Sequence, residues 1–297
     1  MYKFIVSLIS DFLFFRVKLF FYDSYFYIFA IVCAEKINFM YKKILITIVL
    51  VFTMTNLNAQ YSNGLFGGFF ADIGVTVGAV NFKSDFGERG NFQNYMQNNG
   101  YVVTGVFYLT LDTNYSSFTD YFKLRFEASY MNCNLEHFGK WVDPSNQGVF
   151  ATQLRAMKGA VQSETLGVQL EYFPFGQDQF TGADGFIPYV SFGGQIINYS
   201  TKISSSLGPI GTPISTPIKY LNGGVKAESN GRVPTLSTSI GTRYKLTTYT
   251  SLVLDLRLQY YFSDEVDGMN PNKSLYPENQ SNDWLTSVSI GYIYYLL

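Results

Sequence analysis

The residues most able to do chemistry fall into two alternating stretches. Lys123, Arg125 and Glu127 are each separated by one apolar residue, and so are Asp255 and Arg257. In an extended chain a spacing of two puts such charges on one face. Opposite charges gathered on facing strands could pair as a structural plug, or line a proton or ion path. His137, the only histidine, stands beside Glu136. With a serine and an acid it could support nucleophilic catalysis, although a lone histidine in a loop is more simply a solvated residue. Asp264, Glu265, Asp267 and Asn270 offer the oxygen ligands that calcium takes. A plain solvated acidic loop is the simpler account of them and the one expected. No Cys/His cluster has zinc spacing. The stretch Gly64–Phe70 is glycine-rich but lacks the following Lys-Ser/Thr of a phosphate loop. No cofactor is expected.

The elements that must position these charges are strands. In Tyr121–Tyr130, Phe122, Leu124, Phe126, Ala128 and Tyr130 oppose Lys123, Arg125, Glu127 and Ser129. Ser251–Phe262 repeats the pattern with four alternating leucines, and Val233–Leu246 places Arg243 and Lys245 on its polar face. Glu164–Tyr172 does the same with Glu171, and Phe70–Val80 with Asp72. Tyr101–Leu111, Phe186–Asn198 and Trp284–Leu297 complete a set of eight. Strands of about ten residues that alternate apolar with polar or small residues fit a membrane barrel, in which the charged face points inward. The connections alternate in length. Those at 81–100, 131–163, 199–232 and 263–283 are long, and those at 112–120, 173–185 and 247–250 are short. Long outer loops and short periplasmic turns have this parity. The expected fold is therefore all-β: an eight-stranded antiparallel up-and-down transmembrane barrel with long extracellular loops. Its lumen charges would be Asp72, Lys123, Arg125, Glu127, Glu171, Arg243, Lys245, Asp255 and Arg257, and the interior of an eight-stranded barrel is just wide enough for side chains.

Composition agrees. The 297 residues are 18% aromatic and 14% charged, without an uncharged apolar run of the length a spanning helix needs. From residue 60 onward 15 Lys/Arg stand against 19 Asp/Glu, so a nucleic-acid partner, which wants a basic face, is not expected. Residues 40–59 read as a secretory signal peptide: Lys42 and Lys43, the apolar core Ile44–Met54, and Leu57-Asn58-Ala59 at its end. Residues 1–39 hold thirteen Phe or Tyr and neither Gly nor Pro. This resembles AT-rich text translated upstream of a start codon, and Met40 is the expected initiator; a true anchoring extension is the rival. Loss of Cys33 with that segment would leave Cys133 alone, without an intrachain disulfide. The expected arrangement is 1–39 as upstream extension, 40–59 as signal peptide and 60–297 as barrel.

The final strand carries the sharpest motif. Ser289, Gly291, Tyr294 and Leu296 follow the polar-x-Gly-x-x-apolar-x-apolar pattern of terminal barrel strands, which pairs with the edge strand of an insertion machine. The chain ends one residue later, on Leu297, rather than on the commoner terminal aromatic. With these features, residues 60–297 resemble the small outer-membrane β-barrel proteins of Bacteroidetes, loosely OmpA-, OmpX- or PorT-like. Ser84–Gly100 is similar to an uncharacterised flavobacterial branch. The resemblance implies an outer-membrane location, a lipid environment and passage through barrel-insertion machinery, and it supplies no active-site residue. The expected role is non-enzymatic, through contacts of the outer loops with a surface or envelope partner. The rivals are a lipid-modifying barrel enzyme tested at His137 and an accessory component of a secretion or gliding apparatus. Tyr95, Met96, Trp141 and Tyr276 are the loop residues, mostly aromatic, placed to recognise a partner or to anchor at the membrane interface.

Overall fold

A computed structural model describes residues 69–87, 97–111, 121–176, 185–276, 279 and 281–296. Residues 1–39 and 40–59, Tyr95 and Met96 lie outside them. Eight strands follow one another: β1 Phe69–Lys83, β2 Asn99–Leu111, β3 Phe122–Glu136, β4 Met157–Tyr172, β5 Phe186–Ser205, β6 Glu228–Thr247, β7 Thr250–Tyr261 and β8 Trp284–Leu296. Each pairs antiparallel with its neighbours, and β8 returns to β1, closing an up-and-down barrel. Closure leaves no edge strand, so every strand can satisfy its backbone against another.

The register fixes the tilt. From Lys123 the pairing runs through Glu171, Ser191, Ser239 and Arg257 to Ser287, Val80 and Gly100. It re-enters β3 at Cys133, ten residues from its start. A stagger of this kind is what a closed barrel with strongly tilted strands requires.

The polarity is that of a membrane barrel along one belt. Leu124, Leu166, Val168, Phe192, Ile240, Leu254, Leu256 and Ile290 are exposed on the outer surface, while Lys123, Arg125, Glu127, Glu171, Arg243 and Asp255 are buried inside. Burying charge while exposing leucine is unfavourable in water and favourable in hydrocarbon. Among the described residues no helix is long and apolar enough to cross a membrane.

Four strands run further than the sequence pattern suggests. β3 continues past Tyr130 to Glu136, β4 begins at Met157 rather than Glu164, β5 continues to Ser205, and β6 begins at Glu228. In these extensions the polarity inverts. Met131, Cys133, Leu135, Met157, Val161, Ile197 and Ile203 fill the interior. The outer wall carries ion pairs such as Lys158–Glu136, 2.8 Å apart, with side chains 62% and 61% exposed. Beyond the belt the wall faces water, so the ordinary rule of apolar inside and polar outside returns. The apolar residues therefore switch from even to odd positions within β3, and an uninterrupted alternation stops at the switch. Two of the long connections are shorter than expected because their flanks are strand.

One helix, α1 (Val149–Ala156), lies between β3 and β4. Ala151 and Leu154 face the apolar interior. Gln153 Nε2 donates to the carbonyls of Pro213 and Ile214, at 2.8 and 3.1 Å. This ties α1 to the connection between β5 and β6.

Candidate functional site

The interior is built in layers from the short-turn end. Val106, Tyr108, Phe173, Ile187, Tyr189, Val253 and Ile293 make an apolar floor. The Arg243 guanidinium lies 4.3 Å from the Tyr108 ring centroid and 5.1 Å from that of Phe173, a cation–π arrangement that stabilises a desolvated charge. Above it four acids and four bases interlock. Lys123 pairs with Asp72, and Arg243 with Glu171 and, at 4.0 Å, Asp72. Arg125 sits among Glu127 at 3.1 Å, Asp255 at 3.1 Å and Glu171 at 3.4 Å. Arg257 forks onto both Glu127 oxygens, at 2.9 and 3.0 Å. Eight of the nine lumen charges expected from the sequence are thus brought into one network. Lys245 is not: it sits half-exposed beside the bulge at Lys245/Thr247, near the short β6–β7 turn. At the end of the strand its side chain reaches solvent, so the sequence parity placed it on the right face at the wrong height.

Sequence reading missed the neutral members. Tyr189 Oη donates to Asp255 Oδ2 at 2.6 Å, Gln169 Nε2 to Glu127 at 2.9 Å, and Ser191 Oγ to Gln169 Oε1 at 2.7 Å. Gln195 and Gln259 extend the chain upward. The available signal was strand parity, which puts each on the charged face. Such bonds matter because an ion pair out of water needs its remaining lone pairs satisfied. Between this layer and the upper apolar cluster, a cavity of ≈ 20 Å³ is lined by Thr104, Ser129, Ser163, Thr165 and Ser287 among others. That is room for about one water.

At β8, Ser289 faces the lumen and Tyr294 is exposed on the outer wall. Leu296, which strand alternation would place on the outer face with Tyr294 two residues before it, is instead buried. Gly291 pairs with Thr76 at the seam. A Cβ there would stand 2.5 Å from both the Val75 carbonyl and Thr76 Cγ2.

The loop acids do not form a solvated loop. Asp264 and Asp267 are buried. Asp264 pairs with Lys273 at 3.4 Å, whereas Glu265 pairs with Lys226 at 3.7 Å and accepts from Asn270 at 2.7 Å. Asp267 accepts the backbone N–H groups of Asp85 and Met269, at 2.9 and 2.7 Å. The three carboxylates are thus committed to different partners, and among the described residues no group of acids, His or Cys could hold a metal.

Burial, and then the neighbouring Asp85 carboxylate, pushes Asp267 well above the ordinary carboxylate range. Asp283 lies close as well, accepting the Asp267 N–H at 3.3 Å. The folded state therefore binds the Asp267 proton more tightly than the unfolded chain. Between the ordinary and the raised value, stability falls as pH rises. The Asp85 amide, which joins the first long loop to the fourth, should be better protected from hydrogen exchange in mild acid than at neutral pH. Asp267→Asn should remove that dependence; equal protection in mild acid and at neutral pH in the unsubstituted protein would contradict the assignment.

His137 is not a solvated loop residue. It stacks on Phe86 with ring centroids 4.6 Å apart, and its Nδ1 accepts the Gly87 N–H at 3.3 Å. The proton therefore resides on Nε2. Burial lowers its pKa to about 3, helped by the nearby Lys219 charge. An imidazole whose acceptor nitrogen is already occupied by a backbone N–H does not have the geometry of a base for a nucleophile. Ser84, which lines the same cleft, instead accepts from the Phe86 N–H at 3.2 Å.

That cleft opens at the long-loop end and has a volume of ≈ 610 Å³. Loop residues brought together there include His137, Trp141, Phe150, Lys219 and Tyr276. Trp141 and Tyr276 thus line a cleft rather than anchor at the lipid belt.

An inverted belt and a filled interior define the class: a transmembrane β-barrel with an occluded lumen. No known protein family matches the chain, and no curated protein sequence matches it. Several solved structures are similar in architecture. Ail, the attachment invasion locus protein of Yersinia pestis, in complex with the heparin analogue sucrose octasulfate, is 10% identical. It matches over 77% of this chain and 99% of its own, with a TM-score of 0.38. A major outer membrane protein from Thermus thermophilus is 15% identical over 76% and 98%, with a TM-score of 0.42. The outer membrane protease OmpT from Escherichia coli is 9% identical over 80% and 99%, with a TM-score of 0.30.

Proposed function

We propose that the chain is exported by the signal peptide at 40–59, inserted by the barrel machinery, and resident in the outer membrane. There it acts without catalysis, through contacts of its outer loops with a surface or envelope partner. The observation that carries this reading is the interior. The ion network, the Tyr108–Phe173–Tyr189 floor and the upper apolar cluster leave a cavity of ≈ 20 Å³ between layers, far below what a solute path needs. What the protein does then falls to its loops or its lipid face. The loop end exposes Trp141 (56%), Ile214 (72%) and Ile218 (77%). Large apolar side chains held on a rigid scaffold in water are characteristic of recognition surfaces.

Two measurements test the reading. Liposomes carrying the barrel should swell no faster than empty ones in small sugars or amino acids; rapid swelling would replace loop recognition with conduction. In cells, Trp141→Ser/Ile214→Ser/Ile218→Ser should fold and yet fail to restore a deletion phenotype. Full complementation by this triple variant together with failure of His137→Ala would favour the enzyme. Removing residues 84–98 is not a neutral loop deletion, because Phe86 belongs to the upper core.

A further inference from the structure

The outer wall of β5 and β6 passes from the lipid belt into water at a defined row. Phe192, Ile196, Leu236 and Ile240 are exposed apolar side chains of the belt. Above them the register sets Pro234 opposite Ile196 and Arg232 opposite Asn198. Pro234 accepts the Phe262 N–H at 3.2 Å. The exposed rings of Tyr260 and Phe262, edge to face with centroids 5.4 Å apart, therefore stand beside it. An arginine one row above such an aromatic girdle is at the height of lipid headgroups.

Three cations face outward on the upper wall, and they are not equivalent. Lys158 and Lys202 stand farther from the belt and pair with Glu136 at 2.8 Å and Glu228 at 3.6 Å. Arg232 is exposed and pairs with no acid among the described residues; its Nε donates to Asn198 Oδ1 at 2.8 Å. That bond sets the plane of the guanidinium and leaves the Nη1–Nη2 edge, a fork that matches two oxygens of one phosphate. The outward acid on the same row, Glu164, lies on the far side of Asn198, two strands or about 10 Å away.

We infer that Arg232 docks the headgroup phosphate of an outer-leaflet lipid, whose acyl chains lie over Ile196, Leu236, Phe192 and Ile240. Such a lipid supplies the negative charge that the wall lacks at this point. Its chains continue the surface that the belt already presents to hydrocarbon, which a soluble phosphate does not do. Asn198 is a positioning residue: it holds the fork toward the headgroup and touches no phosphate itself.

The inference rests on the reading that the long-loop end faces outward from an outer membrane, and its test is separate. The unsubstituted barrel in neutral detergent is titrated with dioleoyl phosphatidate and examined by native mass spectrometry. Phosphatidate should be retained saturably. Dioleoylglycerol, with the same chains and no phosphate, should be retained roughly tenfold more weakly or worse. Arg232→Gln should reduce phosphatidate to the level of dioleoylglycerol, whereas Lys202→Gln should leave it unchanged. Arg232→Lys, which keeps the charge and loses the fork, and Asn198→Ala should both fall between. Should Arg232→Gln lose the compact band on a detergent gel, the choice between the two lipids by the unsubstituted barrel still decides. Equal retention of the two lipids, equal retention by Arg232→Gln, or an equal loss in Lys202→Gln would each overturn the assignment. Displacement of phosphatidate by an equal concentration of inorganic phosphate would do so too, by making the site one for a soluble anion. Any of these in a barrel that still sediments with liposomes removes only the docked lipid; a barrel left in the supernatant removes the membrane reading itself.

Discussion

Arg125→Met is expected to destabilise the barrel by about 3–5 kcal/mol, the cost of leaving a buried ion pair half made. Arg125 touches three carboxylates, those of Glu127, Glu171 and Asp255, and its side chain is 1% exposed. Of the three, Glu171 and Asp255 keep one arginine each, Arg243 and Arg257, and Glu127 keeps Arg257. After the substitution four carboxylates would share Lys123, Arg243 and Arg257 in a space without room for many waters. Lys158→Met is the control. It breaks the Lys158–Glu136 pair on the outer wall, and exposed pairs contribute about 0–1 kcal/mol. The readout is the temperature at which the compact band on a detergent gel converts to the unfolded one. Equal conversion temperatures for the two variants would mean that the lumen is hydrated and that the network does not act as a plug. Lys273, although in a loop, would be a misleading control because it pairs with the buried Asp264.

The second large effect is expected at the seam. Gly291→Val should prevent closure, so that the compact band is lost altogether. The reason is local: a Cβ at 291 would stand 2.5 Å from the Val75 carbonyl and 2.9 Å from Thr76 Cα, and backbone cannot move aside without parting β8 from β1. Gly194 on β5 supplies the comparison, since a Cβ there meets nothing within 4 Å. Gly194→Val should keep the compact band. If both variants migrate as compact barrels with similar stability, the glycine in the terminal strand is not a closure requirement, and its place in the terminal pattern would need another cause. This prediction separates folding from insertion: the failure should appear equally in refolding from urea into detergent, where no insertion machinery is present.

Much of the frame was legible in the sequence because a barrel strand writes its environment into a period of two. Leu252 to Phe262 and Phe122 to Tyr130 could be read directly, since lipid on one side and a charged lumen on the other give each position parity a fixed chemistry. The lumen charges followed from the same parity. Periodicity failed where the environment changed along a single strand. The upper parts of β3 to β6 leave the lipid belt, and Met131, Cys133 and Leu135 then take the inner face that Lys123 to Glu127 held lower down. An alternation test sees that crossover as the end of a strand.

What the sequence determined by itself was local: eight alternating segments, the parity of their connections, and which side chains point inward. Only the tertiary structure decided which of those side chains meet. Arg125 and Asp255 are 130 residues apart and bond at 3.1 Å, because a closed register with its ten-residue stagger, not sequence distance, sets their height in the lumen. The same stagger leaves Lys245 at the rim. The loop-end cleft is a tertiary fact in the same sense. His137, Lys219 and Tyr276 belong to three connections without a shared motif, and they converge because the closed wall beneath holds those connections around one opening.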